Sequence, residues 1–553
     1  MPDRYKKLTT MNFRTKIIFL LLFCFLYSKS NNAQDTTRRQ TIEITSSYKP
    51  SLRNTVKINL YATPISPDTS TPRLAYYIPP QNLFYGYQPV ALKPLALQAD
   101  TSLQLGDRNQ LKLGFGSNTT PYISGAFSFG DGKHNLANVY ADYISSRAKD
   151  QKDFSEINVK GTGSLFSATN ETYAGIGFAQ HEYYQYGYDH SSLFFDKGII
   201  RRSYQDLNVN LGFRNIVNND LGINYNPHLE VHEFSRESHA NETTLIINLP
   251  AEKKFSDQVS FKVAALGEFN QYRKKNSTDN LTIGNNLFQL APEFVYYSDR
   301  FTFHGGITPS WNNKDVAILP NIYVEAQLQQ NILLIQAGWV GRYITNSFRS
   351  LSAVNPYMQD PVFLNNTKEI QYYGGIKATV GKHFNFNAKA AFISYRDMPL
   401  FINDSIIGNS FYVSNESKLS NLQLHGDMSF ISQDKFTLTG ALDLNTYTGM
   451  HDNAKAWGLY PLKLTGSFRW NAFKQVLFKS DIIAFSGAKA LLKNGDEKKM
   501  KGGTDLSAGA EFKLNKQFSV WLDMNNILNS KYERWNNYPV YGFQVIGGVI
   551  VHF

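Results

Sequence analysis

The sequence has very little cysteine and no long apolar segment, and both shortages restrict the class of protein. Its single cysteine, Cys24, lies in the apolar run IIFLLLFCFLY (17–27), so disulfides are not expected to stabilise the rest of the 553-residue chain. A run of 11 residues is too short to span a bilayer as a helix, for which about 20 are needed. With only 18% charged residues and 14% aromatics, the composition instead suits many strands joined by turns.

The N-terminus predicts export. Arg14 and Lys16 precede the apolar run, and the small residue Ala33 comes before Gln34, a pattern typical of a secretory signal peptide over residues 1–33. Met11 offers an alternative start, which would make residues 1–10 an upstream extension. Phe23 precedes Cys24, where a lipoprotein signal needs a small residue, so lipidation is not expected.

The positive charge does not predict a nucleic-acid partner. The formal net charge is +11, but residues 1–33 contain six Lys or Arg against one Asp, which leaves +6 for the exported chain. No basic cluster stands out on one helix or loop. We therefore expect no nucleic-acid binding.

Residues 34–108 differ from everything that follows. Eight of the twenty prolines lie between Pro50 and Pro94, which is too dense for regular sheet because proline donates no backbone hydrogen bond. We interpret 34–108 as an extended N-terminal segment, placed either in the periplasm or in the lumen of a barrel.

From residue 109 onward, apolar and polar residues alternate with a period of two. The clearest case is the last segment, YGFQVIGGVIVHF (541–553), where Ile546 and Ile550 are apolar exceptions on the polar face. The same alternation recurs at 157–165, 207–214, 422–430 and 505–514. Apolar residues facing lipid and polar residues facing a lumen are typical of a transmembrane β-barrel. Because lipid cannot satisfy an open sheet edge, the strands must close into a ring.

Connection lengths support a barrel over a soluble sandwich. Short turns are predicted at 131–135, 216–220, 432–434, 471–474 and 514–517, and long loops near 183–203, 346–367, 397–418, 450–459, 487–502 and 527–540. Counted back from Phe553, every short turn falls at one end and every long loop at the other, the asymmetry of outer-membrane barrels. The sequence predicts an all-β, closed antiparallel barrel of roughly 22 strands (18–22) over 109–553, embedded in outer-membrane lipid.

The closing stretch LDMNNILNSKYERWNNYPVYGFQVIGGVIVHF (522–553) resembles the last two strands of TonB-dependent outer-membrane receptors. The matching residues are Asn525, Asn526, Ile527, Leu528, Asn529, Tyr532, Glu533, Tyr538, Pro539, Gly542, Gly547 and Phe553. The segment QTIEITSS (40–47) is similar to the box through which such receptors contact TonB. The resemblance implies a 22-strand barrel of a Gram-negative outer membrane and a partner, TonB or another periplasmic protein, for the N-terminal segment.

The chain also departs from that family. Family members carry a plug domain of well over a hundred residues, whereas only the 75 residues 34–108 precede the first predicted strand here. The Pro-x-Gly-Arg motif that many members have before the final strand is replaced by Pro539, Val540, Tyr541, Gly542 and Phe543. These departures imply a receptor with a reduced or missing plug.

Two groups of residues are candidates for contact with a solute. Ionisable residues predicted to face the lumen, which could set a charge preference or simply form a paired, solvated wall, are Lys160, Arg214, Lys377, Asp427, Asp443, Lys463, Arg469, Lys479, Asp481, Glu511 and Lys513. In the predicted loop at 181–195, Tyr183, Tyr184, Tyr186 and Tyr188 could stack on a flat ligand or form part of an interfacial girdle.

No catalytic, metal or cofactor site is predicted. His228 and His232 would share a strand face about 13 Å apart, too far to bind one ion. His425 and Asp427 share an inward face, but no serine is marked as a nucleophile beside them, so an enzyme is not expected. The sequence predicts solute uptake or passage across the outer membrane. The alternative is a non-transport barrel that acts as a scaffold or binds a partner through its loops, and the sequence gives no indication of oligomeric state.

Overall fold

A computed structural model describes residues 109–553 apart from 218, 238, 276–279, 330–331, 382, 433–434 and 493. The predicted signal peptide, the 34–108 segment and its 40–47 box lie outside the described residues. Within the described part of the chain, neither helix has the length and apolarity that a helical membrane crossing requires.

Strands account for most of the described chain. They are β1 (Asn109–Gly116), β2 (Thr120–Gly130), β3 (Asn135–Ser146), β4 (Phe154–Phe166), β5 (Asn170–Tyr184), β6 (Arg201–Asn215), β7 (Ile223–Tyr225), β8 (His228–Arg236), β9 (Ala240–Lys254), β10 (Val259–Lys275), β11 (Asn280–Tyr297), β12 (Phe301–Asn312), β13 (Asp315–Gln329), β14 (Leu333–Ile344), β15 (Thr367–Val380), β16 (Phe384–Arg396), β17 (Met398–Asn403), β18 (Phe411–Glu416), β19 (Leu419–Ser432), β20 (Phe436–Thr448), β21 (Leu462–Phe473), β22 (Val476–Phe485), β23 (Lys489–Leu491), β24 (Glu497–Lys499), β25 (Gly503–Lys513), β26 (Phe518–Asn525), β27 (Glu533–Trp535), β28 (Tyr538–Pro539) and β29 (Gln544–His552). The helices are α1 (Lys197–Ile200), α2 (Phe348–Val354) and a 3₁₀ turn at Lys149–Gln151.

One sheet contains 23 of these segments and closes on itself, because β1 pairs with both β2 and β29. Segments β7 and β8 both pair with β9, and only Asn226 and Pro227 separate them. Proline lacks the N–H that a ladder needs, so the two segments are one interrupted strand. The sheet is therefore a closed antiparallel barrel of 22 strands, which confirms the predicted fold class and strand number.

The strands alternate between an outer apolar face and an inner polar face, as predicted. On β6, Leu207, Val209, Leu211 and Phe213 are exposed apolar side chains on the outer face. The two apolar exceptions on β29 face inward, where Ile546 and Ile550 are buried with Trp521 and Tyr122. This cluster lies at the seam between the first and last strands.

Loop lengths differ sharply between the two ends of the barrel. At the end where β29 finishes, the connections are short turns such as 131–134 and 514–517. The opposite end carries the long connections 185–200, 345–366, 397–418, 449–461, 486–502 and 526–543, which contain both helices and the small hairpins β17–β18, β23–β24 and β27–β28. The predicted long loops therefore all lie at one end, which we call the loop end.

Candidate functional site

Three long loops fold over the mouth of the lumen at the loop end. They are 345–366, 397–418 and 526–543, and together we call them the roof. A single buried cluster joins the roof to the inner face of the barrel strands β6, β8, β9 and β10. Its members are Tyr204, Phe234, Ala240, Tyr272, Phe348, Leu351, Val354, Met358, Leu364, Phe401, Phe411, Trp535 and Tyr538.

The 345–366 loop contains α2 because its N-terminus is capped twice. Ser347 accepts a hydrogen bond from the Ser350 N–H and forms a capping box with that serine. The buried Glu242 carboxylate, from β9, accepts from the N–H of Phe348 at 2.6 Å and of Arg349 at 3.1 Å. An acceptor with negative charge at a helix N-terminus satisfies N–H groups that have no intrahelical partner. The barrel wall therefore fixes where this short helix begins.

The same loop is also tied to the wall beyond its helix. Asp360 pairs with Arg236 at 2.5 Å and with Lys274 at 2.9 Å. The Tyr204 hydroxyl donates to the carbonyl of Pro356 at 2.7 Å. Since these contacts come from β6, β8 and β10, the loop is fixed along three strands.

Between the roof and the wall lies a cavity of about 260 Å³. It is lined by Lys152, Asp153, Phe154, Ala179, His181, Tyr183, Tyr186, Tyr204, Asp206, Phe234, Arg349, Ser352, Ala353, Pro356, Tyr357, Arg534, Trp535, Tyr538, Val540 and Tyr541. Nine of the twenty lining residues are Phe, Tyr or Trp and five are Lys, Arg or Asp, and aromatic surface with a few charged groups is usual in a small-molecule site.

Tyrosines from separate parts of the chain pack together at this cavity. Tyr357 and Tyr538 stack with ring centroids 3.6 Å apart, and Tyr186 meets Tyr538 edge-on at 4.9 Å. The ring of Tyr183 contacts Tyr357 at 6.4 Å. Burial raises the pKa of the Tyr186, Tyr357 and Tyr538 hydroxyls. These phenols therefore remain neutral and can donate hydrogen bonds at physiological pH.

The negative and positive groups of the lining differ in whether they have a partner of opposite charge or a hydrogen-bond donor. Asp153 is bound by Lys197 and by the N–H of Ala148 at 3.1 Å, and Asp206 contacts His232 at 3.1 Å. The positive groups of the lining are Lys152, Arg349 and Arg534, and none of the three has an ion pair within the part of the chain that the structure describes.

The four tyrosines predicted from the sequence have different positions. Tyr183, on the inner face of β5, and Tyr186, just after that strand, line the cavity. Tyr184 lies on the opposite face of β5, because successive strand residues alternate. Tyr188 packs edge-on against Phe195, 4.9 Å between centroids, and donates to Gln151 at 2.7 Å. A binding role for any of them stays a prediction.

Sequence reasoning did not identify the other half of the lining. Tyr204, Tyr357, Arg534, Trp535 and Tyr538 come from three regions far apart in the chain, and no local spacing connects them. A local signal does exist in the aromatic density of RWNNYPVYGF (534–543), a stretch that also contains Tyr538, Pro539 and Gly542 of the family resemblance.

The eleven predicted lumen residues all lie on the strand face opposite the exposed apolar side chains. Seven of them take part in ion pairs: Arg214 with Glu171, Lys377 with Glu325, Arg469 with Asp481, Lys479 with Asp523, and both Asp427 and Asp443 with His425. Lys160, Lys463, Glu511 and Lys513 have no ion pair among the described residues. Whether any of them selects a permeant stays a prediction.

The histidines considered for metal binding have other contacts. His232 lies between Asp206 at 3.1 Å and Glu230 at 2.7 Å, and His228 contacts the carbonyl of Asn226 at 3.1 Å. Within the described ranges, no three His, Cys, Asp or Glu side chains are close enough together to hold a metal ion.

Comparisons of sequence with protein-family models and with curated proteins give no match. Comparison with solved structures gives matches to several outer-membrane proteins. The FrpB iron transporter from Neisseria meningitidis (F3-3 variant) matches with a TM-score of 0.63 at 12% identity, over 80% of this chain and 81% of FrpB. The siderophore receptor PirA from Acinetobacter baumannii matches with a TM-score of 0.63 at 9% identity, over 80% of each chain.

A third match has the same character. The ferripyoverdine receptor of the outer membrane of Pseudomonas aeruginosa gives a TM-score of 0.59 at 9% identity, over 81% of this chain and 72% of that receptor. At such low identities the likeness concerns the fold. The fold of this barrel is therefore confirmed to resemble that of TonB-dependent outer-membrane receptors.

Proposed function

We propose that the protein takes up a solute across the outer membrane of a Gram-negative bacterium and that the solute first binds in the roof cavity. The observation that carries this proposal is the cavity of about 260 Å³, with nine aromatic residues in its lining, at the mouth of a closed 22-strand lumen. Barrels of this kind place their long loops outside the cell, so the cavity would face the medium.

The proteins that share this fold support the proposal. They are described as an iron transporter, a siderophore receptor and a ferripyoverdine receptor, and none of these descriptions is of an enzyme. We therefore infer transport or reception and no catalytic activity for this chain. Export through cleavage of the 1–33 signal peptide belongs to the same proposal.

The decisive experiment is conductance in planar lipid bilayers. It compares the full chain, a chain without residues 34–108, and a control in which a Gly/Ser linker of equal length replaces 34–108. We expect the full chain to be closed and both altered chains to open a steady pore, because 34–108 would then act as a reduced plug. Equal conductance of all three would make the protein a passive pore. A complete lack of conductance would favour the scaffold or loop-binding alternative.

Energy coupling is a finer proposal. We propose that the QTIEITSS segment (40–47) contacts TonB or another periplasmic partner. The test is binding of the purified periplasmic domain of TonB to the full chain and to a chain in which residues 40–47 are replaced by Gly/Ser. Loss of binding only in the replaced chain supports coupling, and equal binding or equal lack of binding contradicts it.

A further inference from the structure

The most unusual charged group at the cavity is Arg534. Its side chain is only 3% exposed. The guanidinium lies against the Trp535 ring, 3.9 Å from the centroid, and 4.6 Å from that of Tyr460. Its Nη1 donates to the carbonyl of Gly458 at 3.2 Å. Among the residues that the structure describes, the buried Nε and Nη2 atoms have no hydrogen-bond partner.

A buried guanidinium without a carboxylate is costly, because desolvation of the charge is left uncompensated. The neighbouring acid, Glu533, does not relieve this cost, since it pairs with Lys498 at 3.1 Å. Ring contacts stabilise an arginine only in part. The missing component at Arg534 is therefore a negatively charged group.

Two further cations reinforce this requirement. The Nε of Arg349 is also buried without a hydrogen-bond partner in the described part of the chain, and the Lys152 ammonium lies 5.8 Å from the Tyr186 centroid. Both residues line the same cavity as Arg534. Of the two acids in the lining, Asp153 is paired with Lys197, and Asp206 lies 3.1 Å from His232.

The remaining walls restrict the body of the ligand. The stacked Tyr357 and Tyr538 and the indole of Trp535 present flat apolar faces, against which an aromatic ring packs favourably. A cavity of about 150 Å³ in another protein holds one benzene, so 260 Å³ is room for one or two rings.

We propose that the roof cavity binds a small planar organic anion, an aromatic carboxylate of one or two rings, with its carboxylate at Arg534 and its ring among the tyrosines. This proposal rests on the proposed uptake function, whose binding step it specifies. Arginine suits the role, because its planar fork can donate two parallel hydrogen bonds to a carboxylate.

The test is isothermal titration calorimetry of the full chain in detergent with 2-naphthoate. The matched neutral probe is 2-naphthamide, which has nearly the same shape without the charge, and titration of each probe into protein-free detergent is subtracted to correct for partitioning into micelles. Inorganic phosphate serves as a non-aromatic anion. We expect naphthoate to bind at least about tenfold more tightly than the amide, since a charged partner strengthens a buried hydrogen bond. Phosphate should show no binding, and phosphate that binds as tightly as naphthoate would overturn the assignment of an aromatic ligand. Equal affinity for acid and amide, or binding of neither by a folded barrel, overturns the proposal.

Variants locate the anion. Arg534→Gln should remove the preference for acid over amide, and Arg534→Lys should retain part of it. The matched control is Arg469→Gln, because Arg469 also faces the lumen but pairs with Asp481 outside the cavity, and this variant should bind naphthoate unchanged. If Arg534→Gln does not fold, Arg349→Gln, at a half-buried residue, should weaken naphthoate severalfold. A preference that survives in both glutamine variants overturns the assignment.

A failure of the ligand proposal can be distinguished from a failure of the proposed uptake function. A barrel that conducts after removal of 34–108 but does not distinguish acid from amide remains a transporter with a different ligand. If the barrel binds naphthoate but never conducts, the ligand proposal stands and the proposed transport function is contradicted.

Discussion

Tyr357 and Tyr538 stack at 3.6 Å between ring centroids, with an interplanar angle of 18°, and so join two loops that lie far apart in the sequence. Tyr538 also donates to the carbonyl of Asn409, which brings the third roof loop into the same contact. The roof is therefore one packed unit, and a change in one loop should be felt in the others.

The first prediction concerns this stack. Tyr357→Ala should loosen both 345–366 and 526–543, because a large aromatic replaced by alanine in a packed cluster costs about 3–5 kcal/mol. Hydrogen exchange measured by mass spectrometry should become faster in both loops. Tyr357→Phe, which keeps the ring, is the control and should exchange like the wild type. Faster exchange confined to 345–366 would show that the loops are independent.

The second prediction concerns a clasp between 397–418 and 449–461. The buried Glu416 carboxylate accepts from the backbone N–H of His451 at 2.7 Å, Asp452 at 3.0 Å and Asn453 at 2.7 Å. Glu416→Gln removes the charge that strengthens these bonds and should destabilise the clasp by about 1–3 kcal/mol. Limited proteolysis should then cut 449–461 more rapidly, whereas Glu497→Gln, at an exposed hairpin carboxylate, should leave the rate unchanged.

The same clasp should depend on pH. Burial by itself would raise the pKa of Glu416, but hydrogen bonds from the backbone of Asp452, His451 and Asn453 outweigh it, and the pKa is lowered from 4.5. A carboxylate with a lowered pKa in the folded state stabilises that state above its unfolded pKa and loses this contribution as the pH falls through the folded value. Proteolysis of 449–461 by an acid-stable protease should therefore accelerate only below about pH 4.5, and Glu416→Gln should remove that dependence.

The third prediction concerns the seam. Gly548 on β29 is opposite Gly114 on β1, and a Cβ at Gly548 would overlap the carbonyl of Leu113. Gly548→Ala should therefore force the two strands apart, at a cost of about 1–3 kcal/mol or more. The melting temperature, followed by the gel shift between unheated and heated samples, should fall. Gly374→Ala is the matched control, because a Cβ there meets nothing within 4 Å. Equal melting temperatures would mean that the seam tolerates the side chain.

The fourth prediction concerns the charged wall of the lumen. Lys160 is exposed on the inner face of β4 and has no ion pair among the described residues, so Lys160→Glu should shift the reversal potential of the open pore towards cation selectivity. The paired control is Arg469→Gln with Asp481→Asn, which removes both members of a salt bridge with two 3.1 Å contacts. It leaves the net charge unchanged and should not alter selectivity. An unchanged reversal potential in Lys160→Glu would show that Lys160 does not contribute to charge selectivity.

The barrel was predictable because its cause is local. Alternation such as that of Leu207, Val209, Leu211 and Phe213 records, residue by residue, which face meets lipid. The long loops then fix the direction of the strands that flank them, whereas a loop-end connection as short as 313–314, between β12 and β13, carries no such information. Ile546 and Ile550 depart from the alternation because they pack with Trp521 and Tyr122 inside the barrel. These partners lie on other strands, so the local sequence pattern does not predict the contact.

The cavity was only half predictable because its cause is not local. Tyr183 and Tyr186 lie in one aromatic-rich segment that composition reveals. Arg534 looks like any other loop arginine in the sequence. Its importance depends on burial between Trp535 and Tyr460 and on the lack of an ion pair among the described residues, and both arise only when the loops have folded over the lumen.

The pairing of β1 with β29 has a consequence for biogenesis. Every other pair of neighbouring strands in the 22-strand ring is joined by a single turn or loop of the chain, so each pair can form as a hairpin through contacts that are close in sequence. The closing contact is different, because it joins Gln110 to His552 and cannot form until β29 is in place. Until then the nascent ring keeps two open edges, which are templates for aggregation. A cell that makes this protein must therefore keep the unfinished chain shielded through its whole passage to the membrane, and loss of the last nine residues should leave an insoluble product rather than a smaller pore.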